Sequence, residues 1–347
     1  MKTLVNTTLS GLRTVFLHRI KEKESRQRYD AKVTRAMEQL IDATDSRIRL
    51  VSGYKRKLQH VTRNTLEYTD DIVKMIPSAI DVCRKNFISD PYVNAFFVNV
   101  TDLQTIFSQS SEIREFIDEH GNQVIPECCA LLCMRKTEKP VLGMELTGDV
   151  LNRDVQQTAV SFSDHRIYSP APTESETREG LRQCLYGGLV TNALEHIMMG
   201  KLAFHRLQLD HQKLRARLRN LQQQMKKMDQ DTPAAARMRH ETEVVRQKLG
   251  EAGEALLNSH LPSPEESLNQ LITVLNQPDD FIRVNKLSLR LNKMGIKIDE
   301  NSKQACNQLD LTEVVIRTEL PRVVTLARFP LSELPPRSDL FAHGMFS

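Results

Sequence analysis

Three cysteines within six residues, Cys128, Cys129 and Cys133, form the densest set of metal-capable side chains in this 347-residue chain. Thiolates at close spacing are the raw material of zinc sites. On a strand, however, Cys128 and Cys129 point to opposite faces, and only Cys129 and Cys133 share one. No second cysteine pair follows at zinc-finger spacing, His120 and His165 stand alone, and Cys184 and Cys306 are distant in sequence. Buried thiols in an apolar strand are the expectation, with no metal and no cofactor. Glu145, Asp149 and Asp154 cluster about Gly148. Such carboxylates hold divalent cations or move protons, but Asp and Gly are also what turns use, and a turn is predicted here. Ser163-Asp164-His165 contains the residue types of a hydrolytic triad, yet adjacent positions cannot place three side chains in relay. Gly187-Gly188 lacks the spacing and lysine of a phosphate loop, and predicts close helix packing or a bend. No catalytic residue is predicted.

The charge is uneven. Residues 1–64 hold fifteen Lys/Arg against six Asp/Glu, giving +9, so the remainder carries −5 of the total +4. A basic front of this kind suits nucleic acid, an anionic membrane surface or another part of the same protein. Arg47, Arg49, Lys55, Arg56 and Lys57 are the candidate phosphate contacts, and the basic run from Arg206 to Lys227 is a second such stretch. Few aromatics interleave with these cations, and the chain has no Trp, so base stacking is not expected.

Elements must position these groups, and the clearest is a helical seam. Ile197, Phe204, Leu207, Leu214, Leu218, Leu221, Met225 and Met228 recur every 3 and 4 residues, with Gly200 and His211 on the same stripe. Asp231-Thr232-Pro233 then marks a turn and a helix start. A weaker stripe through Met238, Val245, Leu249, Ala252 and Leu256 predicts that the chain returns as an antiparallel, coiled-coil-like hairpin. Leu207, Leu214, Leu218, Leu221 and Met225 are the candidate interface for self-association.

Upstream, no proline occurs before Pro77, and apolar spacing from Met37 to Met75 predicts one or two long helices weakened at Gly53. Caps at Asp90, Thr101 and Ser111 predict three short helices with an aromatic core. Val5, Leu9, Leu12, Phe16 and Ile20 trace an amphipathic face, read as docked on a core ahead of a transit peptide or a membrane contact. Over residues 124–169 the period changes to that of strands, and turn-rich Lys136–Pro140, Thr147–Asp154 and Ser163–Arg166 predict three or four of them. A Ser263 cap with Pro264 predicts a helix to about Asn276, followed by a second β region and an extended tail from Pro330.

The expected fold is α+β and predominantly α, more than half helical, with two small antiparallel β regions. The expected partition is a basic helical region 1–76, a small globular α+β domain 77–173, the hairpin 174–260, a helix with β strands 261–330 and a tail 331–347. No stretch approaches the roughly 20 apolar residues of a membrane span. The cysteines form no disulfide framework, so a reducing cytoplasm is the expected compartment. These features lead to three expectations. The first is a non-enzymatic scaffold or regulatory adaptor, homodimeric, binding a protein partner through its helices. The second is a sequence-independent nucleic-acid-binding protein that uses the basic N-terminus. The third is an enzyme with an acidic site around Asp149, Asp154 and His165.

Overall fold

The computed structural model describes residues 26–121, 125–147, 150–226, 232–299, 304–317 and 319–335, apart from the side chains of 145–147 and 150–153. The amphipathic N-terminal segment, Asp149, Met228 and the end of the tail lie outside the described residues. More than half of the described residues are helical, with a smaller share of strand, which agrees with the expected helical majority. It divides into two compact units, residues 1–64 with 188–276 and residues 65–187 with 277–347. Two of the three boundaries fall inside helices, one of them at Gly187-Gly188.

The second unit is built on one six-stranded sheet, which corrects the expectation of two small β regions. Its order is β3 (Val150–Ala171), β2 (Glu127–Thr147), β6 (Arg322–Pro330), β5 (Asn307–Ile316) and β4 (Ile282–Leu291), with β1 (Ile80–Asp81) parallel to β6. The join between the two regions is β2 on β6, paired from Glu127↔Pro330 to Met134↔Val323. Instead of three or four strands, residues 127–171 make two of 21 and 22 residues.

Two physical causes explain the miscount. Pro140 sits beyond Met134, where β2 has β3 as a neighbour but has left β6. A strand with one free edge tolerates a residue that lacks an N–H. Ser163–Arg166 is a bulge within β3. Between the pairs Cys133↔Arg166 and Arg135↔Ser163 the β3 strand carries one extra residue, and Asp164 there has φ 51°. The same two-against-three count recurs at Asp154 (φ 59°) and Ser169 (φ 55°). Each bulge sharpens the local bend and twist. β3 curls far enough for residues 158–160 to meet the segment after β4. Val160 N–H donates to the Gly295 carbonyl at 2.8 Å, and Lys297 N–H to the Thr158 carbonyl at 2.8 Å. Gly295 makes that approach with φ +74°, and a Cβ there would stand 3.0 Å from the Val160 carbonyl oxygen. Any side chain would strain both the backbone and the closure.

The strands alternate as their pleat requires. Cys128, Ala130, Leu132 and Met134 face one core, with Phe162, Val323, Ala327 and Phe329. Helices α4 (Pro91–Phe96), α5 (Val100–Gln109) and α6 (Ser111–Glu119) add Phe96, Phe107, Ile113 and Phe116 to it; α3 (Asn86–Ser89) precedes them. Asp90 caps α4 as its sequence indicates, whereas the caps of α5 and α6 are Asn99 and Ser110 rather than Thr101 and Ser111. Cys129 and Cys133 face the other side, against Val73 and Ile76 at the end of α2 (Tyr54–Met75) and Leu181 near the start of α7 (Glu174–Met225). A strand buried on both faces reads as a continuous apolar run, which is what Cys128–Met134 is.

The first unit is helical. Of the one or two long N-terminal helices expected, the structure has two: α1 over residues 26–43 and α2, separated by a 3₁₀ turn at Ser46–Leu50 and by Gly53 at φ +71°. α7 is a single helix of 52 residues, about 78 Å at 1.5 Å per residue. α8 (Pro233–Leu257) starts on a Thr232 cap with Pro233 in its first turn, and α9 (Pro264–Asn276) spans the range read from sequence. Ser263 caps α9 reciprocally: its hydroxyl accepts from Glu266 N–H while Glu266 accepts from Ser263 N–H. Among the described residues, no helix is long and apolar enough to cross a membrane.

Candidate functional site

The residues singled out for chemistry are dispersed. Cys128 and Cys133 are buried, and loss of water pushes both thiols up to about 12, while Cys129 is raised by the same cause. A thiol held neutral is a poor nucleophile and a poor metal ligand. Among the described residues no cluster of three His, Cys, Asp or Glu could hold a metal ion. Asp154 is exposed at its bulge, and His165 lies eleven residues further along β3. Asp164 faces Arg322, whose Nη2 donates to it at 2.6 Å.

The bulge at Asp164 re-aims its neighbour. The His165 ring stacks on Phe97 with centroids 5.2 Å apart, and Nε2–H donates to the Phe96 carbonyl at 2.8 Å. Desolvation lowers the pKa of this imidazole, with the hydrogen bond to the Phe96 carbonyl acting against it. The unfolded chain therefore takes up a proton at higher pH than the folded one. The contribution of His165 to stability is complete above about pH 6.5 and is lost as pH falls through the unfolded value. Urea unfolding at pH 7.5 and pH 5 is expected to show a smaller loss on acidification in His165→Gln than in the parent. Equal losses would remove the assignment.

Of the five N-terminal basic candidates, three have carboxylate partners. Arg47 Nη2 lies 2.7 Å from Asp45, Arg49 reaches Glu38 and Asp42 at 2.8 Å each, and Lys57 lies 3.8 Å from Glu265. Lys55 sits over the Tyr54 ring, and Arg56 is exposed. Sequence reasoning missed Asp45, which organises this corner. Its side chain is only 4% exposed. It accepts from Arg47 Nε at 3.0 Å, from Lys201 Nζ of α7 at 3.1 Å and from Ser267 Oγ of α9 at 3.2 Å. The aspartate-to-arginine spacing announces a local turn, but nothing in the sequence announces a lysine 156 residues away.

The helical arm is where the structure concentrates unspent surface. From Phe204 the less exposed positions of α7 are 204, 207, 211, 214, 218, 221 and 225, the heptad stripe read from sequence. Three contacts link α7 to α8. Arg217 pairs with Glu241 at 2.5 Å, the Thr242 hydroxyl lies 3.3 Å from Met225 Sδ, and Gly253 faces the His211 ring. Of the five interface candidates, Leu221 is buried, and Leu207, Leu214, Leu218 and Met225 are half-buried.

A second stripe was not singled out from sequence. Met198, Met199, Leu202 and Leu209 of α7 are 40%, 62%, 60% and 55% exposed. Positions 198, 202 and 209 keep to one face of the helix. Its only sequence signal is that spacing, diluted by His205 and by the stronger neighbouring stripe. Comparison of the chain with protein-family models, curated proteins and solved structures finds no match, so the functional reading rests on these residues alone.

Proposed function

We propose that the protein is a non-enzymatic scaffold or regulatory adaptor that self-associates and binds protein partners through α7. In this reading α7 and α8 pack as a coiled-coil-like antiparallel pair through Leu207, Leu214, Leu218, Leu221 and Met225. Occupied by α8, that seam is unavailable to a partner. The supporting observation is the second apolar stripe, Met198, Leu202 and Leu209, exposed on the same helix. Contiguous exposed apolar surface on a rigid element favours association, and methionines adapt to an irregular partner. A second copy of the chain presents the same stripe and meets it isologously. The free thiols fit a reducing, cytoplasmic setting.

Light scattering on a sizing column tests this. The parent is expected to elute at the mass of a dimer, and Leu202→Lys combined with Leu209→Lys at that of a monomer with unchanged helical circular dichroism. A parent that is monomeric at micromolar concentration, or a variant that stays dimeric, would overturn the reading.

A further inference from the structure

The outer end of the arm carries a different surface. Residues 212–249 hold ten Lys/Arg against four Asp/Glu, and part of that charge converges. Arg215, Arg219, Gln222 and Lys226 follow at i, i+4, i+7 and i+11 on α7, which places them on one face. Gln222 and Lys226 line one side of a 520 Å³ groove whose other side is formed by Arg239, Thr242 and Arg246 of α8. Arg215, Arg219 and Lys226 are exposed, and among the described residues no carboxylate pairs with them. Arg246 Nη1 of the groove lies 2.6 Å from Glu243.

From this geometry we infer that the outer arm binds the phosphate backbone of a nucleic acid duplex without reading its sequence. The α7 cations run in a line about 16 Å long over eleven residues, which suits a chain of phosphates better than a single anion. Guanidinium groups grip phosphate oxygens with two parallel hydrogen bonds. No Phe, Tyr or Trp occurs between residues 205 and 280, so stacking on single-stranded bases has no large platform. A membrane-lying helix needs a broad apolar face; among the described residues between 210 and 256 the one large apolar side chain that stands exposed is Val244. The surface differs from the N-terminal set, whose Arg47, Arg49 and Lys57 already have carboxylate partners.

The test is anisotropy of a fluorescent random-sequence DNA duplex titrated with the full chain across a salt series. With about four phosphates neutralised, log K is expected to fall against log salt with a slope of roughly −3.6. Arg215→Glu, Arg219→Glu and Lys226→Glu together should weaken binding by about 100-fold or more at low salt. Lys55→Glu with Arg56→Glu should leave it within about twofold. The triple Gln variant at the same exposed positions serves if charge reversal disturbs the arm, and it too should lose affinity. Binding that is absent at low salt, insensitive to salt, or retained in both triple variants would overturn the inference. So would polyglutamate competing as well as unlabelled duplex at equal charge, or binding to phosphatidylserine vesicles without binding to duplex.

Discussion

Replacing Asp45 with alanine is expected to destabilise the protein by about 3 kcal/mol, more than any surface ion pair supplies. The carboxylate is almost wholly removed from water, and its acceptors are filled from three directions: the Arg47 backbone and guanidinium, the Lys201 ammonium and the Ser267 hydroxyl. Arg47 is 46% exposed and regains water when its partner goes, so its share is small. Lys201 is 22% exposed, and the Ser267 residue has no exposure at all. Stranding those two groups is the main cost. Asp45→Asn should cost less, because the amide still accepts one hydrogen bond but no longer balances an ammonium.

Acid separates this from a simple packing loss. Hydrogen bonds from Arg47, followed by those from Lys201, hold the Asp45 carboxyl far below the usual carboxylate range, against the opposing effect of burial. The stabilisation is therefore complete above the unfolded value near 3.8 and fades as pH falls below it toward the folded value. In chemical denaturation the gap between the parent and Asp45→Ala should be widest at pH 7 and narrow by pH 3. A gap that is constant over that range would assign the loss to packing alone.

The same residue marks the limit of what the sequence discloses. Periodicity exposes whatever repeats locally. The heptad stripe of α7, the caps at Asp90, Thr232 and Ser263, and the switch to strand spacing near residue 127 all follow from contacts within a few residues. Pairings over long separation do not. Glu127 to Met134 joins Val323 to Pro330 across nearly two hundred residues, and no local pattern predicts that the two β regions share one sheet. Asp154 and Asp164 read as turn residues because turns and bulges use the same positive φ. Whether the backbone reverses there or only bends depends on its partner strand. The stripe through Leu207, Leu214, Leu218, Leu221 and Met225 is legible as a local repeat, and so is the weaker stripe of the returning arm. The outer stripe at Met198, Leu202 and Leu209 was hidden because an apolar residue in a helix says nothing about which neighbour covers it.

Arg178 presents the same long-range logic in a form that mutation reads directly. It sits one turn into α7, and its guanidinium serves the end of α2. Nη1 donates to the Val73 carbonyl at 2.7 Å, Nη2 to those of Ile76 and Pro77 at 3.1 and 3.0 Å, and Nε to Glu174 at 2.9 Å. The last carbonyls of a helix have no partner within it, and a cation at that end also meets the negative pole of the helix dipole. Glu174 completes the join by accepting from Ala79 N–H at 3.2 Å, which fixes the path from α2 into β1. Arg178→Ala removes four hydrogen bonds from a side chain only 18% exposed. The expected loss is about 3 kcal/mol, since bonds to charged groups contribute about 1.5–3 kcal/mol each and water recovers part of them. Arg178→Lys should recover less than half, because one ammonium cannot span three carbonyls and a carboxylate lying on different sides of a planar fork. Full rescue by lysine in urea unfolding would show that charge alone, rather than the geometry of the guanidinium, holds α2 to α7.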